Sequence, residues 1–191
     1  ISKFIIQIKM EVEENNSTDK NKSSIYSCNV IKFDNLKQEW YEVQNENEKQ
    51  ILKQNNEIIK DGESKSILTI DKLKFLSYNV WFDEYNLENR NIGILKLFES
   101  KDPDIICLQE VTDKFLKFLL KQDFIRKTYC ITWIPSNLKN WYEVLILSKY
   151  NCKANVSPFN NSRMGRKLLY ISIVNNANEI INIGTVHLES L

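Results

Sequence analysis

The chain has 191 residues, 42% of them hydrophobic and 11% aromatic, which is enough for one packed domain with an appended segment. Four glycines and three prolines exclude fibrous and low-complexity classes of protein. The formal net charge of +1 neither indicates nor excludes a nucleic-acid partner, because a basic face can form locally on a nearly neutral protein.

The four cysteines are widely spaced, at Cys28, Cys107, Cys130 and Cys152, and none forms a CxxC pair. This spacing argues against a zinc knuckle and against a redox dithiol. We therefore expect a reducing compartment, the nucleus or the cytoplasm, and not secretion. No uninterrupted apolar run approaches the ~18 residues that a membrane span requires, so we expect no membrane span.

Residues 1–66 are interpreted as a polar N-terminal extension without chemistry of its own. Residues 11–24 are almost wholly polar and predict a disordered linker. Two apolar clusters on either side of Asp34 and Asn35 predict a short hairpin over residues 25–43. Residues 46–60, rich in Gln, Glu, Lys and Asn, predict a solvated helix or a tether.

Residues 67–191 predict a layered α/β domain with a mixed sheet. LKFLSYNV predicts a strand with Phe75 and Leu76 facing a core, and a helix capped by Asn86 follows with Ile92, Leu95 and Phe98 at helical spacing. IICL is a continuous apolar run, typical of a strand covered on both faces. Thr112 then caps a second helix, and four further runs predict strands: TYCITWIP, WYEVLILSK, LLYISIV and EIINIGTVHL. The sequence contains neither GxGxxG nor GxxxxGK, so it has no Gly-rich phosphate loop.

Three of the predicted strands end in polar side chains, Asn79, Glu110 and His187. Ligands of layered α/β folds gather beyond the carboxyl ends of strands, so these side chains predict a site for a hard cation and an anionic substrate. Glu110 would offer an oxygen ligand to Mg²⁺. Asn79 would orient that carboxylate or bind a phosphoryl oxygen, and His187, the one histidine, would donate a hydrogen bond to developing negative charge.

Each of these residues also has a structural interpretation, which the spacing alone does not exclude. Glu110 could be a surface charge, Asn79 a turn residue, and His187 a structural histidine.

The strings SYNVWF, DIICLQEV and TVHLESL, in this order, resemble the endonuclease/exonuclease/phosphatase superfamily, whose fold is that of deoxyribonuclease I. HLES and SPFNNSRMGRKLL narrow the resemblance to its tyrosyl-DNA phosphodiesterase branch. The resemblance covers about residues 73–191. It implies a metal-dependent phosphodiester hydrolase of DNA repair, monomeric, that acts on DNA with a 5′-phosphotyrosyl end and uses Mg²⁺, with Mn²⁺ as the alternative.

Carried over by position, the resemblance implies that Asn79, Glu110 and His187 are catalytic and that Glu110 and Asn79 serve the metal. Arg166, Tyr142 and Trp81 would bind substrate. Two alternatives stay open: Arg166 binds phosphate or holds a loop, and Trp81 lines the substrate groove or, the favoured interpretation, belongs to the core.

Members of this superfamily continue with a GDxN-type and an SDH-type segment, and this sequence contains neither. We therefore expect the domain to be incomplete at its C-terminus and the 191 residues to be inactive alone. Two alternative functions are kept. One is another phosphohydrolase of the same fold, such as a nuclease, a deadenylase or a phospholipid phosphohydrolase. The other is a non-catalytic fragment that only binds a partner.

Overall fold

The computed structural model describes residues 25–43, 72–133, 142–175 and 179–189. The predicted linker over residues 11–24 and the predicted tether over residues 46–60 lie outside the described residues. Within these ranges, no helix is both long enough and apolar enough to cross a membrane.

The described residues form nine strands and three helices. The strands are β1 (Tyr26–Asp34), β2 (Glu39–Val43), β3 (Phe75–Asn79), β4 (Ile105–Val111), β5 (Cys130–Trp133), β6 (Glu143–Ser148), β7 (Lys153–Pro158), β8 (Lys167–Val174) and β9 (Ile180–Val186). The helices are α1 (Leu87–Lys101), α2 (Asp113–Leu119) and α3 (Asp123–Thr128). The sequence predicts all of these except β7 and α3.

The strands are joined in the order β3-β4-β6-β5-β1-β7-β8-β9, with β2 beside β1. β3 and β4 are parallel, and every other pair within the described ranges is antiparallel, so the predicted mixed sheet is confirmed. β1 belongs to both halves of this sheet. Its residues 29–31 pair with β5 and its residues 26–28 pair with β7.

The two halves of the sheet face each other across one apolar core, and the helices cover the first half through another. The inner core includes Cys107 and Ile146 from the first half and Ala154 and Ile171 from the second. The outer core packs Phe98 and Phe115 of the helices against strand residues of β4, β5 and β6, including Leu108, Ile131 and Leu147. All seven residues of β4 are buried, as the continuous apolar run predicted. Burial raises the pKa of the Cys107 thiol to about 12.

The hairpin over residues 25–43 is confirmed, with Asp34 Oδ1 accepting hydrogen bonds from the backbone N–H groups of Leu36 at 2.8 Å and Lys37 at 3.1 Å. The same two bonds lower the pKa of Asp34. The sequence predicts this hairpin in an N-terminal extension, outside the domain. In the structure, β1 instead pairs with β5 and β7 and contributes Cys28 and Val30 to the inner core.

The predicted inward faces of α1 and β3 were wrong in part, and the predicted N-cap of α2 is confirmed. α1 buries Asn91, Ile94 and Phe98, while Ile92 faces solvent, because the inward stripe runs one position earlier and includes a polar residue. Phe75 is exposed, since it alternates with Leu76 across a strand at the edge of the described sheet. Thr112 caps α2 as predicted, because its side chain accepts a hydrogen bond from the backbone N–H of Phe115 at 3.2 Å.

Asn86 occupies the N-cap position of α1 but does not cap the helix with its side chain. Its backbone is left-handed, with φ 50°, and its Oδ1 accepts a hydrogen bond from Asn89 Nδ2 at 2.8 Å instead.

A buried amide joins the two halves of the sheet. Gln109 Nε2 donates hydrogen bonds to Thr185 Oγ1 at 2.8 Å and to Ser77 Oγ at 3.2 Å, which connects β4 with β9 and β3. Each of these three residues lies one or two positions before Asn79, Glu110 or His187. The polar link therefore lies next to all three strand ends that the sequence singled out.

We expect Thr185→Val to lower the free energy of unfolding by about 1–2 kcal/mol, because it removes the best acceptor of a buried amide. Urea denaturation followed by circular dichroism measures this. Ser172→Ala is the matched control, since Ser172 makes an exposed hydrogen bond to Asn182 at 2.6 Å between β8 and β9. That control should change stability by less than about 0.5 kcal/mol. Equal losses in the two variants would contradict the prediction.

Candidate active site

Glu110 is turned into the site by a bulge in β4. The register with β6 shifts between Leu108 and Val111, and Glu110 takes a left-handed backbone with φ 60°. Such a conformation costs a non-glycine residue about 1–3 kcal/mol, so the surrounding contacts must hold it. Two of them reach its carboxylate: Asn79 Nδ2 donates to Oε1 at 2.8 Å, and the backbone N–H of Phe82 donates to Oε2 at 3.0 Å.

Asn79, the last residue of β3, uses both ends of its amide. While Nδ2 faces Glu110, Oδ1 accepts a hydrogen bond from the backbone N–H of Trp81 at 2.8 Å. Oδ1 keeps a second lone pair, so this bond leaves the role of metal ligand open. The bond from Nδ2 to the carboxylate of Glu110 supports the orienting role of Asn79.

His187 follows β9 and lies between Glu110 and Arg166. Its Nε2 is 3.4 Å from Glu110 Oε1, and its Nδ1 is 3.0 Å from Arg166 Nη1. Because a guanidinium can only donate, Nδ1 of a neutral imidazole must accept, and the proton then lies on Nε2, facing Glu110. Burial and the charge of Arg166 lower the pKa of His187, and Glu110 opposes them in part. Neutral His187 is thus a hydrogen-bond donor through Nε2.

Arg166 carries a buried charge. Its Nη2 donates to Tyr142 Oη at 3.2 Å and the guanidinium lies 5.4 Å from the Tyr142 ring centroid, yet Nε has no hydrogen-bond partner among the described residues. Within those ranges no carboxylate pairs with it, and Glu143 is already paired with Lys167 at 2.7 Å. Only 8% of Arg166 is exposed, and a buried cation without an anion is costly. The arrangement therefore suits an anionic ligand.

The loop between β7 and β8 holds Arg166 in place, and Glu189 holds the loop. Glu189 Oε1 accepts hydrogen bonds from Ser162 Oγ at 2.6 Å and from the backbone N–H of Met164 at 3.0 Å, which lowers the pKa of Glu189. Ser162 Oγ in turn accepts the backbone N–H of Arg166 at 2.6 Å. No role for Glu189 is predicted from the sequence, because nothing in the sequence relates HLES to a loop so many residues earlier.

Aromatic rings line one side of the site. Phe82 stacks on Tyr142 with ring centroids 5.1 Å apart, and Tyr142 meets the His187 ring at 5.6 Å. Trp81 is 47% exposed, so its favoured interpretation as a core residue was wrong. Phe82 was missed, since an aromatic residue after a strand gives no signal of its own.

The residues of the site can bind Mg²⁺ through a single protein carboxylate. The part of the chain that the structure describes has no group of three or more His, Cys, Asp or Glu side chains able to hold a metal ion. Mg²⁺ needs no such group, because it takes one or two carboxylates and completes its shell with water and substrate phosphate oxygens. Glu110 is the residue that would hold it here.

The sequence model of the Endonuclease/Exonuclease/phosphatase family matches residues 76–177, more than half of the chain. This chain therefore belongs to that family, and the mixed sheet with its covering helices is the family's deoxyribonuclease-I-like α/β fold. The resemblance seen in the sequence is confirmed.

Within the family the chain is similar to tyrosyl-DNA phosphodiesterase 2. It is 30% identical over 122 residues to that protein from Rattus norvegicus, covering 62% of this chain and 32% of the relative. It is also 30% identical to the Bos taurus protein, covering 68% of this chain and 35% of the relative. The chain thus spans about a third of the length of these relatives.

Solved structures of related proteins are also similar to this chain. TDP2 from Caenorhabditis elegans has a TM-score of 0.53 and 28% identity, covering 62% of this chain and 36% of that one. TDP2 from D. rerio, complexed with single strand DNA product, has a TM-score of 0.54 and 25% identity, covering 63% and 48%.

We expect the pKa of His187 to lie below 6.5, and the two neighbouring charges to move it in opposite directions. Arg166→Gln should raise the pKa because a positive charge is removed, and Glu110→Gln should lower it because a negative charge is removed. An NMR titration measures this directly, since His187 is the one histidine. Shifts of the same sign in both variants would contradict the geometry.

The lowered pKa of His187 also makes the free energy of unfolding depend on pH. The unfolded chain binds this proton more readily than the folded chain, so His187 favours folding above pH 6.5. That contribution is lost as the pH falls through the lower pKa of the folded state.

Proposed function

We propose that this chain carries the metal and phosphate contacts of a divalent-metal-dependent phosphodiesterase that removes tyrosyl groups from 5′ DNA ends in DNA repair. The observation that supports it best is the convergence of Glu110, His187 and Arg166 at one edge of the fold. This set combines one carboxylate, one neutral donor and one buried cation. It suits a phosphodiester bound beside a hard cation.

The proposed roles follow from the contacts of each side chain. Glu110 would hold Mg²⁺ or Mn²⁺, which would neutralise charge on the phosphoryl oxygens when bound. His187 Nε2–H would donate to a non-bridging phosphoryl oxygen and stabilise the charge that develops there. Arg166 would supply the positive charge for the phosphate, and Asn79 would keep Glu110 oriented. Tyr142 and Trp81 would contact the substrate next to them.

The relatives support the substrate class. Curated proteins similar to this chain are named tyrosyl-DNA phosphodiesterase 2, and one related structure contains a single-stranded DNA product. The exposed Trp81 and the stacked Phe82 and Tyr142 would suit an aromatic group at the phosphate. We also propose that the protein is a monomer and that it is located in the nucleus or cytoplasm.

We expect the chain to bind a 5′-phosphotyrosyl oligonucleotide more tightly than poly(A) or a phosphoinositide headgroup. Arg166→Gln should weaken this binding about 10- to 100-fold, because a hydrogen bond to a charged group contributes about 1.5–3 kcal/mol. Fluorescence anisotropy with each labelled ligand measures it.

Arg163→Gln is the matched control, since Arg163 lies in the same loop, carries the same charge and is exposed. Equal weakening by the two substitutions would reduce the role of Arg166 to general electrostatics. Tighter binding of poly(A) or of the headgroup would favour another phosphohydrolase of the family.

We expect the 191-residue chain to bind without turnover, because the sequence contains neither a GDxN nor an SDH segment to activate water. Release of tyrosine from the oligonucleotide, with and without Mg²⁺, measures this. Mg²⁺-dependent release well above that of a Glu110→Ala control would show that the chain activates water through residues it already has.

A further inference from the structure

We propose that Arg90, on α1, is a positioning residue for Glu110 and Asn79. It acts through the loop between β3 and α1, residues 80–86, which we call the β3–α1 loop. Its meaning for catalysis rests on the proposed function, but its effect on the loop does not.

Arg90 donates hydrogen bonds to three backbone carbonyls of the β3–α1 loop. Nη1 donates to the carbonyl of Tyr85, and Nη2 donates to those of Asp83 and of Trp81, the last at 3.1 Å. The guanidinium also lies 4.8 Å from the Trp81 ring centroid. One side chain therefore fixes the path of the loop at three points and one ring.

The same loop supplies the backbone donors of the site. The N–H of Trp81 bonds to Asn79 Oδ1 and the N–H of Phe82 bonds to Glu110 Oε2. These two donors sit just beyond β3, and Trp81 has a left-handed backbone with φ 61°. A conformation of that cost persists only where surrounding contacts hold it, and the carbonyl of Trp81 is held by Arg90.

The arrangement needs arginine in particular. A guanidinium presents five donors in a rigid plane, so it reaches carbonyls on two sides while its face covers a ring. A lysine ammonium is a compact point charge on a flexible stem and cannot reproduce this geometry. Glu84 ties the loop to α2 through Lys114, but this pair is exposed and contributes little. Among the described residues, Arg90 is therefore the side chain with the most hydrogen bonds to the backbone of this loop.

The test compares amide hydrogen exchange of Phe82 in the original chain, in Arg90→Met and in Arg90→Lys. We expect exchange of the Phe82 N–H to be at least about tenfold faster in Arg90→Met, which corresponds to about 1.4 kcal/mol of lost protection. Arg90→Lys should also exchange faster than the original chain. The Phe115 N–H, bonded to Thr112 Oγ1, should keep its rate and report that the rest of the fold is intact.

Arg126→Met is the matched control. Arg126 also donates to a carbonyl, that of Leu120 at 2.7 Å, and also covers a ring, that of Phe33 at 4.6 Å, but it contacts neither the β3–α1 loop nor the site. It should lose a similar contact and leave Phe82 exchange unchanged. If Arg126→Met accelerated Phe82 exchange as much as Arg90→Met does, the effect would be general loss of stability and the proposal would fail.

A second readout follows Mg²⁺ alone by isothermal titration calorimetry. We expect Arg90→Met to weaken Mg²⁺ binding about tenfold, because the carboxylate of Glu110 loses its fixed orientation. Unchanged Phe82 exchange in Arg90→Met, or exchange at the original rate in Arg90→Lys, would overturn the proposal. Neither measurement uses DNA, so failure of tyrosyl-DNA binding would refute the proposed function and leave this inference standing.

Discussion

Burial of β4 on both faces is the constraint on which the rest of the molecule depends. Alternate residues of this strand enter the inner core between the sheet halves and the outer core beneath the helices. A shift in the register of this strand would carry Gln109 or Glu110 into an apolar core, which is costly. Its single irregularity is the bulge that ends at Val111, and that bulge aims Glu110 out of the core. The site thus draws the position of Glu110 from a strand that is buried along its whole length.

One buried charge of the site, that of Arg166, has no charged partner among the described residues. Glu110 accepts hydrogen bonds from neutral donors, Asn79 and a backbone N–H. Burial and the charge of Arg166 lower the pKa of His187, which favours its neutral form. Arg166 has neutral partners alone among the described residues. Structural ion pairs in this chain look different: Lys167 and Glu143, or Lys149 with Asp102, meet directly. A buried guanidinium that the protein leaves without such a partner indicates a ligand that brings the charge.

The sequence could predict the polar residues at the strand ends but not the side-chain contacts between them. Asn79, Glu110 and His187 were found because polar side chains after buried strands are unusual, and the structure brings all three together. The family match then supplied the reason that spacing alone lacked. Glu189 was missed, because its contacts join segments far apart in the sequence.

The errors have a common physical origin. β7 alternates polar residues with only two apolar ones, Ala154 and Val156, so its hydrophobic signal is weak although it pairs on both sides. Asn91 is buried where a helix pattern calls for an apolar residue, which shifted the predicted face of α1. Long-range packing decided both cases, and local propensity does not record it.

The passage of β1 from one half of the sheet to the other has a consequence for how the chain folds. Tyr26 pairs with Val156, so most of the described residues lie between the two partners. Closing so long a loop is entropically costly and makes folding slow compared with local pairing. During synthesis, the hairpin of β1 and β2 emerges long before β5 and β7 exist to receive it. Residues 26–28 of β1 must therefore wait for their partner until β7 has left the ribosome, and until then they are an unpaired edge open to association with other chains.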